Sequence, residues 1–404
     1  MRAGHSTGLA LLLAAVALTA CGKTGRDGQT VLGQARDVAP LAAQGAVSLA
    51  TRNTTRVGGA SEAIDAAAVA RTVYPALTPA SRPEAVVLVD ERDWPAALAA
   101  SALAGSPLGA PLLFSDASGL STLTRQTLQA LRPRGARSLA GAQVIRIGSA
   151  AGPPSGYETR SVPGGGPAAT AAAILALAPG ARASRQVIVV PAGAARAMQM
   201  PAAGLAAESG APILFVGRSR VPAATDAALR SLHSPAIYVV DPADVGAGTM
   251  SELRHLGAVT EIAPPPTPGA APSATANSIA VARFTDGTFG WGVKEPGHGL
   301  VFANAGRPLD AVAAAPLSAT GDYGPLLVLE RAGQIPPELG VYLGNIQPAY
   351  TSAPSFRPVR GVYNHGWLIG GETAIGTVVQ AELDTLLQIS PRRSSQEPTV
   401  APAE

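Results

Sequence analysis

Three stretches of the chain repeat one alternation of apolar and polar positions: Val86 to Phe114 (VVLVDERDWPAALAASALAGSPLGAPLLF), Val187 to Phe215 (VIVVPAGAARAMQMPAAGLAAESGAPILF) and Gly299 to Leu329. Each starts with a short run of β-branched and aliphatic residues, which predicts a strand buried on both faces. A loop carrying charged residues or glycine follows, then an alanine-rich segment long enough for a helix. Each closes on Ala-Pro or Gly-Pro and a second predicted strand, at Leu112–Phe114, Ile213–Val216 and Leu326–Leu329. A third strand is predicted at Val144–Ile147, Ile237–Val240 and Trp367–Ile369. A helix is predicted ahead of each first strand, at Ser61–Val73, Ala168–Leu177 and Ala274–Ala282.

Strands alternating with helices imply parallel pairing through right-handed crossovers. The predicted fold class is therefore α/β, with three tandem three-layer α/β/α units, and repetition of order and spacing is its main support. The expected boundaries are a first repeat over 46–152, a second over 153–262 and a third over 274–389. Ala263–Ser273, which contains PPPTPGAAP, reads as a stiff linker between the last two. The residues 390–404, rich in Arg, Ser, Glu and Pro, read as a disordered tail.

The amino-terminal end changes the picture from a soluble protein to a tethered one. Arg2 precedes an apolar run from Leu9 to Leu18, too short to span a bilayer, and Leu18-Thr19-Ala20-Cys21 resembles a bacterial lipobox. The expectation is a lipoprotein signal peptide over 1–21, a lipid on Cys21, a polar tether over 22–45, and a location on the outer face of the cell membrane. Cys21 is the only cysteine, so disulfides and Cys-based zinc sites are excluded. Hydrophobic residues form 47% of the chain and charged residues 14%, a balance suited to packed cores rather than to disorder. Net charge is only +3 and basic residues form no runs, which argues against a nucleic-acid partner.

The pattern resembles the cell-wall-binding type 2 repeat family, which occurs as tandem triplets in surface proteins of Gram-positive bacteria. TTRVGGASEAIDAAAVA, from Thr54 to Ala70, is similar to the family's opening, APLLF at Ala110–Phe114 to its central block, and GWLIGGETAIG at Gly366–Gly376 to its closing glycine-rich turn. The resemblance covers residues 50 to about 380. It implies Rossmann-like or Toprim-like units arranged with pseudo-threefold symmetry, and noncovalent binding of an anionic wall polymer near the Pro-aliphatic elements. These are Pro111, Leu112 and Leu113; Pro212, Ile213 and Leu214; and Pro325, Leu326 and Leu327. The family's Asp-Arg-Tyr and Thr-Ala signature is missing, with Ser61, Glu62 and Asp65 in that region.

In open α/β sheets ligands collect beyond the carboxyl ends of strands. The loops after the three first strands offer Arg92 among Asp90, Glu91 and Asp93; Arg196 with Gly193; and Arg307 with Asn304 and Asp310. An arginine in each loop suits a phosphate or carboxylate. Gly164-Gly165-Gly166 reads as a flexible turn rather than an anion cradle. Catalysis finds no motif, since the histidines form no HxH or HExxH pair and no GxSxG is present. No cofactor and no metal is expected, and the reading is of a non-enzymatic envelope protein that binds an anionic wall polymer. A protein-interaction scaffold with degenerate repeats, or a hydrolase or transferase using Asp286, Asp322, His298 and His365 in the third repeat, are the alternatives.

Overall fold

A computed structural model describes residues 47–116, 118–177, 185–266, 271–319, 324–350 and 363–391, with Gly45 and Gly269, all within the compact unit Leu41–Glu404. Cys21, the signal-like segment and most of the tether lie outside the described residues, as does Asp322.

The described residues form three principal sheets. In the first, β3 (Val86–Asp90) and β4 (Leu112–Ser115) pair, β5 (Val144–Ile147) joins β3 on its other side, and β6 (Thr159–Val162) adds to β5. The second repeats that order with β7 (Gln186–Pro191), β8 (Ile213–Val216), β9 (Ala236–Val240) and β10 (Ala258–Ile262). The third uses β11 (Gly299–Asn304), β12 (Leu326–Leu329) and β14 (His365–Ile369), and all the pairings named so far are parallel. Its fourth strand comes from the far end of the described chain: β2 (Thr54–Gly58) lies parallel to β14, and β1 (Val47–Ala50) runs antiparallel outside it.

The fold class is α/β, with helices alternating with strands, but the sheets do not close at the boundaries set by sequence. β6 follows residue 152 yet completes the first sheet, and β2 precedes the first repeat's core yet completes the third. Strands β2, β6 and β10 each pass the chain on to a helix that serves the next sheet. Helix α1 (Glu62–Val73) packs on β4, α4 (Pro167–Leu177) on β8, and α9 (Ala274–Arg283) on β12. The exchange is cyclic. β6 escaped the apolar pattern because it is largely polar: Thr159, Arg160 and Ser161 are exposed, and only Val162 turns inward.

Helices cover both faces of the third sheet. Val301 and Ala303 of β11 face the core shared with the other sheets, while Leu300 and Phe302 face a second core built with Leu339, Leu343, Val379, Leu383 and Leu387. The period-2 alternation of a strand explains the split. Those last residues come from α11 (Pro337–Asn345) and α12 (Thr377–Leu387). On the shared side sit the alanine-rich helices that follow the first strands: α2 (Trp94–Ala100), α6 (Pro201–Ser209) and α10 (Leu309–Ser318). Helix α10 packs against α1 and α6, and α6 against the turn Ser101–Ala104. Buried Ala97, Ala203, Ala206 and Ala313 let these helices approach closely, which compensates for the scarcity of aromatic residues.

The Pro-rich segment after β10 leads directly into α9, whose N-cap is Ser273. At the other end, Ser390 and Pro391 form a short strand, β15, paired with β13 (Ala349–Tyr350), so the expected tail begins as ordered structure, and its remainder lies outside the described residues.

Candidate functional site

The carboxyl ends of β3, β7 and β11 carry the three loops singled out by sequence, and one backbone pattern holds all of them. The first amide after each strand donates to the end of the neighbouring strand: Glu91 to Ser115 at 2.9 Å, Ala192 to Val216 at 2.8 Å and Ala305 to Leu329 at 2.8 Å. At the opposite ends, Val87, Ile188 and Val301 donate to the carbonyls of Pro111, Pro212 and Pro325 at 2.9, 2.9 and 3.0 Å. Proline fits there because its carbonyl is used and its missing N–H is not needed. All three prolines, with Leu112, Leu113, Ile213, Leu214, Leu326 and Leu327, are buried. These nine residues lie in the cores, at the amino ends of strands, and have no surface on which to meet a polymer.

The three arginines differ. Arg92 folds back on Asp90, with Nε 3.0 Å from Oδ1 and Nη2 2.7 Å from Oδ2, yet its side chain stays 63% exposed while that of Asp90 is buried. Asp90 also accepts from the Arg92 amide and from Ser149 Oγ, and Arg92 above all holds its carboxyl down at about 2. Asp93 accepts from the Ala96 amide at 3.2 Å and caps α2. Arg196 opens the short helix α5 (Arg196–Gln199) and is exposed. Arg307 is committed to the protein. Its Nε donates to Asp310 at 2.8 Å, its Nη1 to the Ala60 carbonyl at 3.1 Å, and its Nη2 to Asp65. Only 16% of its side chain is exposed, and the two carboxylates are fully buried. The expectation that Arg307 grips a ligand is therefore corrected: each of its three nitrogens already donates within the protein.

Asn304 is also structural. Its amide donates to the Ala374 carbonyl and its oxygen accepts from the Gly306 amide, both at 2.7 Å. Around this cluster the backbone is drawn tight. Gly58 has φ +127°, and a Cβ there would lie 2.2 Å from Asp65 Oδ1 and 2.9 Å from the Gly370 amide. Arg56 of β2, buried against α12, donates to Gln380 at 3.0 Å and to the carbonyls of Gly370 and Gly371. Sequence reasoning noticed Asp65 only as a departure from a family signature. Its partnership with Arg307 bridges 242 positions, and no local pattern signals it.

Of the alternative catalytic group, Asp322 lies outside the described residues, and the His365 amide donates to the His298 carbonyl at 3.0 Å, which makes those two residues neighbours. Asp286 accepts from Tyr238 Oη at 2.6 Å and from its own turn, while His365 pairs with Thr55 at 3.0 Å. Gly164 lies against Gly148, so the glycine run serves a close backbone approach. Among the described residues no group of His, Cys, Asp and Glu is placed to hold a metal ion, and no helix is long and apolar enough to cross a membrane.

The fold has solved counterparts. Cwp8 from Clostridium difficile is similar with a TM-score of 0.61 and 17% identity, over 83% of this chain and 52% of that one. Cwp6 from Clostridium difficile is similar with a TM-score of 0.63 and 15% identity, over 85% of this chain and 51% of that one. The chain thus spans about half the length of either protein. No protein-family model matches the chain, and no curated protein sequence does. At these identities the likeness is one of fold: Arg92 and Arg196 stand at equivalent strand ends of a shared framework, and what they contact is a separate question.

Proposed function

We propose that this is a non-catalytic cell-envelope protein, held to the membrane by lipid on Cys21, that binds an anionic cell-wall glycopolymer. The observation that carries the reading is the three-sheet fold, shared with two Clostridium difficile cell wall proteins. The chain's own contribution is the pair of exposed guanidinium groups at Arg92 and Arg196, flat donor forks that can meet two oxygens of a phosphate or carboxylate, Arg92 through the side that Asp90 leaves open. Arg307 has no part in it.

The test is co-sedimentation of the full chain, carrying Cys21→Ser to keep it free of lipid, with purified cell walls across a salt series. Binding that weakens with salt and disappears after acid stripping of the anionic polymers is expected. The double variant Arg92→Gln with Arg196→Gln should weaken the binding to unstripped walls at low salt. No sedimentation at low salt overturns the reading. Labelled palmitate should enter the wild-type chain and not Cys21→Ser.

One observation favours a second reading. The third loop is closed by the Arg307 cluster, so this unit offers less for a polymer than the first two. A scaffold that engages another envelope protein would need no such loop. Capture of a defined partner by the Cys21→Ser chain, with no binding to walls, is the outcome that selects it.

A further inference from the structure

The residue that follows the third strand of each sheet adopts a left-handed backbone: Gly148 after β5, Asp241 after β9 and Gly370 after β14, with φ of 55°, 58° and 99°. Glycine serves that turn without a steric cost, whereas a side chain there costs about 1 kcal/mol. The second unit therefore carries a carboxylate where its fold needs none. Asp241 is only 4% exposed, and its Oδ2 has no hydrogen-bond partner. Burial, with Asp244 nearby, pushes the carboxyl up to about 6.

Asp241 lines a cleft of about 600 Å³ together with Glu261, Glu338, Ser273 and the walls of Pro264 and Pro272. That volume suits a small polar ligand. Three carboxylates face it and, among the described residues, no Lys, Arg or His lines it. Arg254 engages Glu261 at 3.0 Å and Arg218 engages Asp244 at 3.4 Å, both at exposed positions, and Asp241 Oδ2 is left without a hydrogen-bond partner. Ser273 donates to Glu338 at 2.8 Å and caps α9. The amino end of α9 brings roughly half a positive charge, which the carboxylates outweigh. The clustered acids do not form a metal site among the described residues.

We propose that this cleft, between the second sheet and the helices of the third, binds the primary ammonium group of a small polar ligand, with Asp241 as its buried counter-ion. An ammonium carries three donors that can reach separate acceptors, which fits carboxylates supplied by different elements. The inference stands apart from the wall-binding reading, because its probes are monomers and its residues carry the opposite charge.

The experiment is a titration calorimetry series on the full chain with glucosamine and with D-alanine methyl ester, using N-acetylglucosamine as the ligand whose charge is removed. Saturable binding of an ammonium probe, absent for N-acetylglucosamine, is expected. Asp241→Asn should weaken it about tenfold or more, the size of one lost charge-assisted hydrogen bond. That variant should melt no lower than wild type, since it relieves a buried unpaired charge, and Glu338→Gln provides an exposed second test. Binding of glucosamine alone assigns an amino sugar; binding of the ester alone assigns an aminoacyl group. The proposal is overturned if neither ammonium probe saturates by roughly 10 mM, if N-acetylglucosamine binds equally, or if Asp241→Asn leaves the affinity unchanged.

Discussion

Arg307 holds two buried carboxyls that also hydrogen-bond to each other, Asp65 and Asp310. Two carboxylates in contact resist joint ionisation. Burial and the Asp65 charge push Asp310 well above the usual range, and burial pushes Asp65 up as well. Removing the cation strands both, so Arg307→Ala is expected to cost about 3–5 kcal/mol in urea unfolding. Asp310→Asn keeps a hydrogen-bonding side chain and should cost far less. The pH dependence has a definite sign. A group whose folded pKa exceeds its unfolded value, about 3.9 for Asp, stabilises fully below the unfolded value and loses that contribution as pH rises through the folded one. Stability measured from about pH 4 upward should therefore carry a falling component. Asp310→Asn should flatten it, and an unchanged slope would show that the shared proton is absent.

At the scale of elements, helix α6 meets α10 through Gly204. A Cβ there would lie 2.9 Å from Ser318 Oγ and 3.6 Å from the Leu326 side chain. Gly204→Val should force the helices apart and lower the melting temperature, an overpacking cost of about 1–3 kcal/mol. Gly248, in α8 (Ala247–Leu256), has open space around it and is the matching control: Gly248→Ala should be neutral or slightly stabilising. The central strands and their following helices were legible in sequence because burial on both faces demands continuous aliphatic runs. Val144–Ile147, Ile213–Val216 and Leu326–Leu329 appear with the bounds expected. The outer strand β6 was not, since three of its four residues meet solvent and polar residues suffice, and neither was the buried but polar β2. Thr54–Gly58 carried only a resemblance to a family's opening, with the helix expected from Ser61, and its place beside β14 depends on a partner more than three hundred positions away. The loops at strand ends were legible as positions, but the contrast between exposed Arg196 and engaged Arg307 rests on Asp65, which folding delivers from another unit.

For the whole molecule, the cyclic exchange makes the repeats interdependent. One continuous core takes Val87 and Leu113 from the first sheet, Ile188 and Leu214 from the second, and Val301 and Val328 from the third. No sheet with its two flanking helix layers can be cut out along the chain without removing a strand or helix from its neighbour. Scanning calorimetry of the full chain should accordingly show one cooperative transition rather than three, with calorimetric and van't Hoff enthalpies in agreement. Deleting residues 47–60 is the sharper test. It removes β1 and β2 together with Arg56 and the Ala60 carbonyl that Arg307 uses, and leaves the backbone of β14 unpaired on one side. A parallel strand exposed in this way is a template for pairing with another chain. The truncated protein should melt lower and associate on a sizing column, and the loss should extend to the first unit, because α1 then has no β2 to position it against β4. Should it stay monomeric with the original transition, the third sheet would be self-sufficient and the cycle merely a feature of connectivity.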